Sequence, residues 1–388
     1  MIMGKKSSLG LFLLFSLSAF IYWLTSGGTT PYNYFVRLAD AFLQGRYWLT
    51  EQPSWLSELV PAGPGKFYVI QPPMAAILAL PFVAFFGKNF PQQILAHLIG
   101  AGIVVITFLL AQTITHNRKI AFWSAILSGF SSIIWYLAAT GSVWYLGQLT
   151  ACFFLLTAIR EAVGKRRLSL VGVFIGAAYL SRIHTILAIP FFLYLLKDKI
   201  LTLKNIFLFS FPIVIFLGFN AVYNFVRFGV FYDKGYYLIP GILNEPWFTK
   251  GMLNPVYLLE HLRILFLEMP KRLDYFPFVQ PSWYGLAIWI TTPAFIYSLT
   301  ANIKETVVKF AWLAIILIFL LVGLRGGTGW TQFGYRYAVD FYPFLLFLTI
   351  KGVARSGLKW HHWLLLLSGI IVNLWGVIWI NKFGWVSF

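Results

Sequence analysis

Apolar residues run through this chain in long blocks, and polar residues interrupt them only briefly. A helix that crosses a bilayer needs roughly 20 mostly apolar residues. Runs at 9–24, 92–115, 120–140, 144–160, 206–225, 284–300, 308–324, 337–351 and 362–381 each predict a spanning helix. Two shorter runs, 168–180 and 184–196, flank Ser181-Arg182-Ile183-His184 and count with them. The pattern predicts an all-α polytopic membrane protein of about eleven transmembrane helices. A membrane β-barrel would instead show short segments of alternating hydrophobicity. Nothing in the chain marks a repeat or a linker, so residues 1–388 are expected to form a single integral membrane domain.

One apolar run does not fit a simple crossing. Residues 72–87 are few for a span and contain Pro81. The next run, 92–115, ends at the basic segment HNRK (116–119). Basic loops mark the cytoplasmic side, and a re-entrant or outward-facing helix at 72–87 keeps that rule intact. Lys5 and Lys6 before the first run place the N-terminus in the cytoplasm, and no small-residue cleavage site follows, so a retained span is expected. Two long polar segments, 26–91 and 228–283, then fall on the outer face.

Composition sharpens this picture. The chain is 59% hydrophobic and 11% charged, with a net charge of +18. The basic residues gather in short loops between spans, so the charge reads as membrane orientation and not as nucleic-acid binding. Of twelve acidic residues, Glu161, Asp198 and Glu305 fall in the cytoplasmic loops and the others face outward, which gathers polar chemistry there. Cys152 is the single cysteine, so no internal disulfide forms.

The outer segments hold the candidate chemistry. In 34–45, Phe35, Leu38, Ala39, Phe42 and Leu43 share one helical face, while Arg37, Asp40 and Gln44 share the other. Gly45 is placed to end that helix. This is an amphipathic helix for the membrane interface, its polar face open to a cavity or holding an Arg37–Asp40 surface pair. Lys66, Tyr68 and Gln71 precede Pro72-Pro73, a helix start with free N–H groups for an anion. Arg182, beside His184 near membrane depth, is either a phosphate-binding group or an interfacial cation. A helix is expected from Asn254-Pro255 to Pro270, with Glu260 and Arg263 paired. Last comes a Gly-rich stretch from Arg325 to Gly334 leading to Arg336 and Asp340, whose spacing puts them on one helical face. It lacks the Gly-Lys-Ser/Thr ending of a phosphate-binding P-loop. No metal-ligand spacing is apparent among the histidines, and no cofactor is called for, although a divalent metal is compatible with this chemistry.

Taken in order, these pieces resemble the GT-C superfamily of membrane glycosyltransferases, in the branch of protein mannosyltransferases and lipid A aminoarabinose transferases. The resemblance rests on FVRLADAFLQGR (35–46) after the first span, a Pro-Pro element closed by PFVAFFG (81–87), the Leu180-Ser181-Arg182 segment, and a late GYRYAVDFYP (334–343). It covers nearly the whole chain. It implies an inverting transferase that moves a sugar from a polyprenyl-phosphate donor to a lipid, glycan or protein acceptor outside the membrane. A carboxylate of the first outer loop then acts as general base, and cations receive the phosphate leaving group. The family often carries Asp-Glu soon after the first span; here Pro31-Tyr32-Asn33-Tyr34 stands there instead, and no acid occupies 142–148. Asp40 becomes the expected base. Arg182 and Arg336 are the expected phosphate clamp, with Asp340 steadying Arg336, and Arg37, Lys66, Tyr68, Gln71 and His184 are expected to contact substrate. The missing acids also leave open a lipid-linked glycan transporter or flippase, or an inactive scaffold of a glycan-assembly complex. Transporters more often show matched halves, which this sequence lacks.

Overall fold

A computed structural model describes residues 5–276, 278–329 and 331–384. Helices dominate. The first half contains α1 (Lys5–Leu24), α2 (Tyr34–Leu43), α3 (Met74–Phe86), α4 (Gln92–Thr115), α5 (Arg118–Phe130), α6 (Ile134–Thr140), α7 (Val143–Val163) and α8 (Leu168–Tyr179). The second contains α9 (Ile189–Leu195), α10 (Leu203–Phe228), α11 (Tyr257–Leu267), α12 (Ile288–Thr291), α13 (Thr306–Gly323), α14 (Tyr342–Ser356) and α15 (Trp360–Asn381). Two small antiparallel hairpins interrupt them: β1 (Leu59–Pro61) with β2 (Phe67–Val69), and β3 (Lys271–Arg272) with β4 (Val279–Gln280).

The apolar runs became helices, but not eleven uniform spans. Among the described residues, five helices are long and apolar enough to cross a bilayer: α4, α7, α10, α13 and α15. A sixth is the pair α5 and α6, bent by 52° where Ser131-Ser132-Ile133 breaks the helix. The stretches Ser8–Leu24, Met74–Asn89, Leu168–Tyr179 and Ile183–Leu195 are apolar but shorter. The run at 284–300 holds only the four-residue α12 and a 3₁₀ helix over Pro293–Thr300 that starts at Pro293. At 1.5 Å per residue, the 13 residues of α3 reach about 20 Å, short of a ~30 Å hydrocarbon core. The chain is a multi-pass integral membrane protein.

Helices approach closely where side chains are small, because apolar burial alone gives little drive for association in lipid. On α8, Gly172 and Gly176 are four apart and face α10. A Cβ at Gly172 would lie 2.3 Å from the Phe209 carbonyl oxygen, and one at Gly176 would lie 2.3 Å from the Phe216 ring. Buried polar side chains tie other pairs: Trp123 Nε1 donates to the His362 carbonyl at 3.1 Å, and Asn373 Nδ2 to that of Thr291 at 2.6 Å. The core formed around α4 and α7 anchors one end where the loops 26–73 and 228–283 meet the segment after α13.

Candidate functional site

At the loop-bearing end lies a cavity of about 730 Å³. Its inner wall includes Tyr32, Glu58, Trp144, Tyr145, Arg336 and Tyr337; its outer wall includes Tyr236, Trp247, Trp283 and the strip Arg325 to Gly329. Glycine makes that strip possible. A Cβ at Gly326 would lie 2.4 Å from the Trp247 carbonyl oxygen, and Gly327 and Gly329 hold φ of +80° and +88°. Trp330 lies outside the described residues.

Three glutamates line the cavity, Glu58, Glu245 and Glu260, and Glu58 is the one packed beside Trp144. Glu58 directly precedes β1, and the Tyr34 hydroxyl of α2 accepts a hydrogen bond from its backbone N–H at 3.2 Å. One carboxylate oxygen, Oε2, accepts from Trp144 Nε1 at 2.9 Å and from Gln71 Nε2 at 2.8 Å. Both donors are held by helices, Trp144 on α7 and Gln71 just before α3, so the carboxylate sits in a fixed frame. Burial pushes its carboxyl up; the Trp144 hydrogen bond and the charges of Arg325 and Arg336 pull the other way without cancelling it. A carboxylate in this condition is a stronger base than an exposed one.

Two arginines share the cavity with it. The Arg325 guanidinium lies 3.9 Å over the Tyr236 ring, and its Nε is buried with no hydrogen-bond partner among the described residues. Arg336 is 8% exposed, and its guanidinium sits 4.8 Å from the Tyr337 ring and 5.9 Å from the Tyr145 ring. Gln148 Nε2 holds its backbone, donating to the Arg336 carbonyl at 3.0 Å. Neither arginine forms an ion pair among the described residues. Buried donors of this kind suit an anionic oxygen.

The expected Arg336–Asp340 pair does not form. Residues Arg336–Asp340 are a 3₁₀ helix. With three residues per turn, positions four apart no longer share a face. Asp340, fully buried, instead accepts from Arg182 Nη2 at 2.9 Å and from His184 Nε2 at 2.8 Å. Arg182 therefore has its charge met by Asp340, and neither Arg182, His184 nor Asp340 lines the cavity. The Arg182 guanidinium does reach toward the wall from behind, 5.8 Å from the Tyr337 ring.

The other expected residues are dispersed. The helix expected at 34–45 forms as α2, with Phe35, Leu38 and Ala39 buried and Gly45 at φ +70°. Its polar face is not part of the cavity. Asp40 accepts from Gln44 Nε2 at 2.8 Å, and Arg37 donates to Asn33 Oδ1 at 2.8 Å, so the two do not pair. Lys66 lies 4.9 Å over the Trp48 ring. Tyr68 stacks on Tyr47 with ring centroids 6.0 Å apart. Gln71 alone among the loop candidates touches the site, through Glu58. The expected Glu260–Arg263 pair forms at 2.8 Å on α11. Sequence reading passed over Glu58 and Arg325. Glu58 has no helical periodicity around it, and its partners Trp144 and Tyr34 are distant in sequence. No cluster of three or more His, Cys, Asp or Glu suited to a metal occurs among the described residues.

Neither a family model nor a curated protein matches this sequence. Solved structures do share its architecture. A crystal structure of ArnT from Cupriavidus metallidurans bound to undecaprenyl phosphate aligns with TM-score 0.55 and 13% identity, over 94% of this chain and 63% of that one. The apo structure of the same protein aligns over the same shares with TM-score 0.54 and 13% identity. The chain thus spans somewhat under two thirds of the ArnT chain's length. The likeness extends along almost all of this sequence, and it shows that the chain shares the fold of these ArnT structures.

Proposed function

We propose that this protein is an inverting glycosyltransferase that moves a sugar from a polyprenyl-phosphate donor to an acceptor hydroxyl, with the cavity facing the outer side of the membrane. The observation that carries the reading is the meeting of Glu58 with Arg325 and Arg336 in one cavity. A structure with the same fold holds undecaprenyl phosphate, which supports a lipid-phosphate ligand here.

In this reading Glu58 is the base and replaces Asp40 in that role. Its Oε2 is engaged by Trp144 and Gln71, which leaves Oε1 to take the acceptor's proton. The acceptor oxygen then bonds to the anomeric carbon from the face opposite the phosphate. The bond from that carbon to the phosphate oxygen breaks, and its electron pair leaves on the phosphate. Arg325 and Arg336 receive that developing charge. General-base assistance contributes about 10²–10⁴-fold, and one well-aimed donor at a developing oxyanion about 10²–10³-fold.

The test is to supply purified protein in lipid nanodiscs with polyprenyl-phosphate sugars and hydroxyl acceptors, and to follow two products. Sugar transfer matched one for one by free polyprenyl phosphate is expected. Donor bound or moved across the bilayer with its sugar intact would instead establish a carrier.

A further inference from the structure

His261 lies behind the cavity wall and is absent from its lining. It is fully buried on α11 with Ile264 and Leu265, the stripe that faces the core. Its ring makes two hydrogen bonds that together define one arrangement. Nε2 lies 2.9 Å from the Arg325 carbonyl oxygen, which can only accept, so Nε2 carries the proton. Nδ1 is then the lone-pair nitrogen, and it accepts from the Tyr335 hydroxyl at 2.5 Å. The same backbone turn is held from its other side. The N–H of Gly326 donates to the Met252 carbonyl at 2.9 Å, and Leu253 bridges to Arg325. Arg325 itself is fixed at its far end by the Tyr236 ring at 3.9 Å. An arginine whose backbone and guanidinium are both held presents its remaining donors without a large ordering cost.

We propose that His261 is a positioning residue: it latches the Arg325 backbone so that the guanidinium points into the cavity ready for an anionic phosphoryl group. The latch acts on Arg325 directly, whereas Arg336, which follows the Tyr335 that His261 also contacts, has a backbone hydrogen bond of its own from Gln148. This inference rests on the phosphate-binding reading of the cavity.

The experiment measures binding of an undecaprenyl monophosphate probe to the full chain in nanodiscs. His261→Phe keeps a ring of similar size and removes both the donor to Arg325 and the acceptor for Tyr335, and it is expected to weaken binding about tenfold. His261→Gln places a donor nitrogen near the position of Nε2 and should stay within about twofold of wild type. The cost of His261→Phe should vanish in an Arg325→Gln background and persist in an Arg336→Gln background, as expected for residues that act together. A residue that only supports the fold would show the same cost in both backgrounds, and that result overturns the latch. So does a His261→Gln variant as weak as His261→Phe. Wild-type protein that does not bind the probe would overturn the phosphate reading and the latch with it. Binding that depends on Arg325 but is indifferent to His261→Phe would overturn the latch alone.

Discussion

Two charge clusters lie close together in this molecule, and they are built on opposite plans. Behind the cavity wall, Arg182 and His184 converge on Asp340, and the carboxylate takes hydrogen bonds at 2.9 and 2.8 Å from them. In the cavity, Glu58 is hydrogen-bonded by neutral donors, and Arg325 and Arg336 have no ion-pair partner among the described residues. Tyr337 stands between the clusters, its ring near both Arg182 and Arg336. A closed cluster holds structure together because each charge is met within the protein. An open one, at the surface of a cavity, leaves charge available to a ligand. On the proposed reading, the first cluster serves stability and the second serves substrate chemistry.

Breaking the closed cluster should give the largest change in stability. Asp340→Ala leaves the partly buried Arg182 without its counter-charge and is expected to cost about 3–5 kcal/mol. Thermal unfolding of the purified variant measures it, and a loss below about 1 kcal/mol would erase the distinction drawn here. The open cluster should respond in turnover instead. Arg336→Gln is expected to lower kcat about 10²-fold, equivalent to roughly 2.7 kcal/mol of transition-state stabilisation, with little change in unfolding temperature. The pH profile sharpens the comparison further. A base works only when ionised, and burial raises the Glu58 carboxyl above its ordinary value. Activity should therefore fall as pH drops through a limb lying above the usual carboxylate range, about 4.3 for glutamate. A limb at or below that range would contradict the buried-base assignment. The smallest effect tests the scaffold alone. Gly172→Ala forces α8 away from the Phe209 carbonyl and should cost about 1–3 kcal/mol of stability. Sugar transfer per folded molecule should then be unchanged at low temperature.

The same contrast explains what the sequence disclosed. Helices were legible because hydropathy is a property of consecutive residues, and α2 was legible because its apolar positions keep helical spacing over ten residues. The fold shared with the ArnT structures was legible from the order of short motifs along the chain. Span number was not, since a run such as 284–300 is apolar yet breaks at Pro293 into 3₁₀ geometry. The site was half legible. Arg336 and Gln71 were identified as functional candidates, whereas the partner of Arg336 was misassigned because spacing was converted to geometry with the wrong helical repeat. Glu58 escaped because its setting comes from residues distant in sequence. Trp144 and Tyr34 lie 86 and 24 positions away, and no local pattern announces them. Arg182 stands out in the sequence as a charge between two apolar runs. Only the chain path shows that Asp340, 158 residues later, already meets that charge.

Glu58, one of three glutamates that line the cavity, is the proposed base, and Asp40 of α2 is not. Turnover of a polyprenyl-phosphate sugar by Glu58→Gln and Asp40→Asn, measured side by side with wild type in nanodiscs, tests this assignment most directly. A loss of at least about 10²-fold is expected for Glu58→Gln with donor binding retained, and a rate within about twofold of wild type for Asp40→Asn. A Glu58→Gln enzyme that turns over normally, or an Asp40→Asn enzyme that does not, would contradict it.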